Sequence, residues 1–167
     1  MKKLNRKGYM AIEIILASVM TFVIAYFLID LTMKLVNVTN DTYTDIILTT
    51  DKALITKNIK ENIEDDAHYR CGIDSVTCND NVCTIVYNEE LTRKLSVIEN
   101  TVNYSDEEGN VIYSKKINNG LSDITLTGTN VVDDVSYDYY IFKISGTNIF
   151  IDKNYDINII VHNKICI

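Results

Sequence analysis

The hydrophobic pattern changes period along the chain. Residues 9 to 29 (YMAIEIILASVMTFVIAYFLI) form a 21-residue run with one charge, Glu13. At about 1.5 Å per residue, a helix of that length spans roughly 30 Å, the thickness of bilayer hydrocarbon. From Asp30 to about Ala67 neither Pro nor Gly is present to end a helix. Within that stretch Leu48, Ile55, Ile59, Ile63 and Ala67 recur at seven and then four residues, a single stripe on a helix. Asp51, Lys57, Lys60, Glu61 and Glu64 fall mostly off the stripe, which reads as the face that packs on the rest of the molecule.

After Arg70 the pattern becomes that of strands. Val82 to Tyr87 is short and rich in β-branched residues. Val102–Tyr104 and Val111–Tyr113 flank SDEEGN, a hairpin signal with Gly109 supplying a permissive backbone. Further strands are predicted over Ile124–Thr127, Tyr139–Ser145 and Tyr155–His162, with turns at Asn119–Gly120 and Gly146. One long helix followed by a run of strands predicts an α+β fold: a membrane-spanning first half of the helix, an amphipathic second half, and a small antiparallel β-sheet head. The organisation reads as a basic leader over 1–8, a transmembrane helix over 9–29, its continuation over 30–68 and a β-rich head over 69–167.

Charge sharpens the membrane reading. Lys2, Lys3, Arg6 and Lys7 precede the apolar run with no acidic residue among them, which predicts a cytoplasmic N-terminus and an extracytoplasmic head. Without those four the chain holds 12 basic and 23 acidic residues, about −11. Such a body does not suit sequence-independent DNA binding, which draws on Lys and Arg at phosphates. The four cysteines, Cys71, Cys78, Cys83 and Cys166, fit disulfides in an oxidising space and contain no C-x-x-C spacing. Cys78 and Cys83 bracket a plausible four-residue hairpin loop, Asn79–Val82, within disulfide range; that pairing would leave Cys71 for Cys166.

The leader and the start of the span read Arg6-Lys7-Gly8-Tyr9-Met10-Ala11-Ile12-Glu13, which resembles the type IV prepilin signature. The resemblance implies cleavage after Gly8 by a prepilin peptidase, methylation of the new N-terminus at Tyr9, and an assembly role for Glu13. That carboxylate would neutralise the N-terminal amine of a neighbouring subunit. A charge inside an apolar span is expensive in hydrocarbon, so such residues tend to be paired and functional. The chain departs from the family pattern in two places: Tyr9 stands where Phe is usual, and Asp30 stands where many major pilins carry a helix-bending proline. Leu54–Ala67 and Val102–Thr127 resemble the helix end and the strand–acidic turn–strand pattern of minor pseudopilins, the competence type in particular.

The implied function is structural: a minor pilin-like subunit of a pilus or pseudopilus serving DNA uptake or protein secretion. Its partners would be the prepilin peptidase/N-methyltransferase, the membrane, other pilin-like subunits through the N-terminal helix, and DNA or secreted cargo at a filament tip, indirectly. The competing expectation is an uncleaved, signal-anchored protein whose head binds an extracellular ligand. No enzymatic constellation is read and no cofactor is expected. His68 and His162 stand apart, with no phosphate loop, G-x-S-x-G or H-E-x-x-H present. Asp152, Asn154 and Asp156 echo the start of a calcium loop. The echo fails at Ile157 and Asn163, where glycine and a bidentate glutamate belong.

Overall fold

The computed structural model describes residues 6–88, 91–117, 120–132, 138–149 and 152–163. The chain divides into two compact units, residues 1–43 and 44–167. The 64-residue helix α1 (Arg6–Tyr69) contributes to both. Among the described residues eight strands follow: β1 (Ile73–Asn79), β2 (Val82–Tyr87), β3 (Thr92–Ile98), β4 (Thr101–Asp106), β5 (Val111–Lys116), β6 (Leu121–Val132), β7 (Asp138–Asn148) and β8 (Lys153–His162). The fold is α+β, as expected.

In the first unit, α1 contains a stretch near the N-terminus that is long and apolar enough to cross a membrane, none of it buried within the chain. In the second unit the helix ends where the backbone turns left-handed at Cys71 (φ 60°) and Gly72 (φ 110°), and the Gly72 N–H donates to the Ala67 carbonyl at 2.9 Å. This is a Schellman-type stop, which satisfies a carbonyl that the helix end would leave open.

The described residues of the head form two antiparallel sheets rather than one: a five-stranded meander in the order β1-β2-β3-β4-β5 and a three-stranded sheet in the order β6-β7-β8. Together with the helix stripe they enclose one core. Leu48, Ile55, Ile59, Ile63 and Ala67 are all buried, as their spacing predicted. They join Cys83, Ile85, Leu95, Val102 and Tyr104 from the first sheet and Phe142, Ile144, Ile157, Ile159 and Val161 from the second. Asp51 departs from its expected position off the stripe. It lies three residues after Leu48 and four before Ile55, on the packed face, and is buried; its Oδ1 is 3.0 Å from Lys115 Nζ on β5.

The hairpin around SDEEGN is present, with β4 and β5 joined through Gly109 at φ 91°. The loop between Cys78 and Cys83 is shorter than expected. Asn79 pairs with Val82, leaving a two-residue turn of Asp80 (φ 46°) and Asn81 (φ 63°). Two positive φ values mark a type I′ turn, whose twist matches that of a two-stranded ribbon. Glu99 (φ 47°) and Asn100 (φ 62°) make the same kind of turn between β3 and β4. Gly146 is not a turn; it lies within β7, opposite an extra residue in β6 between Ser122 and Thr125. A Cβ there would meet Ile124 Cγ1 at 3.2 Å and the Ser122 carbonyl at 3.3 Å, so close backbone approach calls for glycine.

Cys78 and Cys83 are directly opposed and disulfide-bonded. Cys71 is also disulfide-bonded, and its expected partner Cys166 lies outside the described residues.

Candidate functional site

In the first unit the motif residues lie on one continuous helix. Gly8 is in its first turn, and Tyr9 and Glu13 follow four residues apart on one face. Glu13 lines a shallow groove with Tyr9, Ile12, Leu16, Ala17 and Met20 on one side of the helix and another with Met10, Ile14 and Ala17 on the other. All these residues are exposed. Glu13 makes no ion pair or side-chain hydrogen bond among the described residues. The arrangement is a single acceptor-only charge on an apolar, outward-facing surface. In hydrocarbon such a group needs a cation or a donor from another molecule. Lys2 and Lys3 lie outside the described residues, as do the side chains of Arg6, Lys7 and Gly8.

The second unit contains a polar cluster that sequence reasoning missed. Asp66, on the last turns of α1, accepts from Arg93 Nε on β3 at 3.0 Å and from the Tyr104 hydroxyl on β4 at 2.7 Å. The Tyr104 and Tyr87 hydroxyls are 2.9 Å apart. Burial is the main reason both tyrosine pKa values are raised well above the ordinary value, so both phenols stay protonated. Burial alone would lower the Arg93 guanidinium; the hydrogen bond and charge of Asp66 leave it raised instead. The cluster has a satisfied carboxylate, a charged guanidinium and two neutral phenols, and no activated nucleophile. Its chemistry is that of a clasp holding the helix end to β3 and β4. Local sequence cannot reveal it, because the partners lie 27 and 38 residues apart.

The remaining candidates do not converge. His68 stacks edge-on against Tyr69 at 5.8 Å, and His162 tilts against Tyr139 at 6.4 Å, in separate places. Asp152 sits in a turn at φ 48°, while Asn154 and Asp156 follow on β8. The Asp156 carboxylate, held below its usual pKa chiefly by the Ser145 hydroxyl, lies 3.4 Å from Lys143 Nζ. Strand geometry spreads these oxygens along one face instead of curling them around an ion, and no group of three potential metal ligands occurs among the described residues.

No family model, curated protein or solved structure matches the chain.

Proposed function

We propose that this chain is a minor type IV pilin-like, pseudopilin-type subunit, cut after Gly8 by a prepilin peptidase, methylated at Tyr9 and assembled through α1 into a pilus or pseudopilus. The observation that carries the reading is Glu13: an unpartnered carboxylate on an exposed apolar helix, five residues after Gly8. Cleavage would place a new amine at Tyr9, and a second subunit's amine is the cation such a carboxylate lacks. The basic residues before the span support a cytoplasmic leader within reach of a membrane peptidase, with the head outside. The disulfides of Cys71, Cys78 and Cys83 fit an oxidising compartment. The subunit's work is mechanical: filament initiation, or presentation of a surface to DNA or secreted cargo.

The test is the intact mass and N-terminal sequence of the protein isolated from membranes of cells containing an active prepilin peptidase. A chain beginning at Tyr9, heavier by one methyl group, is the expected result. A chain still carrying residues 1–8 would overturn the proposal and leave a signal-anchored protein with a ligand-binding head.

A further inference from the structure

β6 is held to the five-stranded sheet at the tip of the β1–β2 hairpin by two separate contacts. The Asn81 side chain donates to the Ile124 carbonyl at 3.1 Å and accepts from the Leu126 N–H at 2.9 Å, occupying β6 backbone groups much as a neighbouring strand would. Gly128 lies directly over the disulfide: a Cβ there would stand 2.6 Å from Cys78 Sγ and 3.5 Å from Cys83 Sγ. The hairpin tip that presents both contacts requires positive φ at Asp80 and Asn81, neither of them glycine. Asp and Asn tolerate that conformation better than other non-glycine residues, though less freely than glycine.

We propose that the Cys78–Cys83 disulfide is a redox-set seat for β6, so that the three-stranded sheet docks fully on the five-stranded sheet only when these cysteines are oxidised. The bond closes a loop with a sequence separation of only 5, where the chain-entropy contribution of a disulfide is near its smallest. Its larger effect is on packing. Two unbonded sulfurs must separate to van der Waals distance, about 3.5–4 Å, and the Gly128 backbone occupies the space above them. Reduction also unties the hairpin tip that aims Asn81. In oxidation, each cysteine loses its S–H bond and one S–S bond forms. Two electrons and two protons pass to the disulfide of a thiol–disulfide oxidoreductase, which leaves as a dithiol; a dithiol reverses the step.

The experiment is hydrogen–deuterium exchange on the full-length chain, comparing wild type with Cys78→Ser/Cys83→Ser, which leaves Cys71 untouched. Amides of β6 and β7 are expected to exchange roughly tenfold faster or more in the variant, with Ile55–Ile63, β3 and β4 unchanged. Equal protection of β6 and β7 in the two proteins would overturn the proposal. Gly128→Ala gives a second arm with the disulfide intact, so the test survives if the serine variant does not fold. The added methyl is expected to release the same amides, and unchanged exchange there would also overturn the proposal.

Discussion

The Tyr104 hydroxyl links the buried Tyr87 hydroxyl to the half-buried Asp66 carboxylate, which Arg93 also contacts. Tyr104→Phe should therefore lower stability by about 1–3 kcal/mol, read as a shift in the urea midpoint at an unchanged slope. The same burial predicts a pH response. A phenol whose folded pKa is raised above its unfolded value of about 10 contributes stability that is fully present below pH 10. That contribution is lost as pH rises from there toward the folded pKa, because the unfolded state sheds its protons first. Melting temperatures should be level with respect to these groups from pH 7 to 9, then fall above about pH 10, and Tyr104→Phe should flatten the fall. Turn residues form a second set. Glu99 at φ 47° adopts a conformation suited to glycine, so Glu99→Gly should stabilise the head by about 0.5–1 kcal/mol, measured by thermal unfolding. Gly8 and Glu13 were singled out in the sequence because the proposed motif is a matter of spacing along one helix. The Asp66 cluster was not, because it is assembled across a helix and two strands.

At the scale of elements, the helix was legible because each member of its apolar stripe repeats the same demand. Ile59, fully buried, should cost about 2–5 kcal/mol when truncated to alanine, whereas Leu54→Ala, 42% exposed on the same helix, should stay within about 0.5 kcal/mol, both read from denaturant midpoints. β2, β5 and the acidic hairpin were legible for the same reason: apolar alternation beside a recognisable turn. β1 and β3 were not. Their sequences, IDSVTCN and TRKLSVI, dilute the apolar alternation with polar and charged residues. Their turns use Asp-Asn and Glu-Asn where Asn-Gly or Asp-Gly would signal a hairpin. Arg93 and Lys94 look like surface residues in isolation; Arg93 is drawn inward by Asp66. Gly146 misled in the opposite direction, because a glycine chosen for close strand approach resembles a glycine chosen for a turn.

At the scale of the whole molecule, the two sheets display four edge strands among the described residues, and each is blunted. β1 carries an extra residue between Ile73 and Ser75. β5 has an extra residue before Tyr113, together with Lys115 and Lys116. β6 carries its own irregularity and the Asn81 amide, and Glu64 Oε1 lies 3.5 Å from the His162 N–H at the end of β8. Bulges, charges and capping side chains are the usual means of discouraging strand-to-strand association. Assembly of the proposed kind is left to the helix. Glu13→Val should leave processing at Gly8 intact and reduce incorporation into filaments several-fold, measured by immunoblot of sheared surface fractions against membranes. Normal incorporation would remove the charge-pairing account.

The Asn163 side chain receives the Ile73 N–H at 2.7 Å and donates to the Ile73 carbonyl at 3.1 Å, four residues past the end of α1. The far end of the last strand is thus moored beside the exit of the helix. A tensile load entering through α1 and leaving at residue 163 has a short route through one amide and one backbone unit. The strands between lie off that route and are spared the shear for as long as the mooring holds.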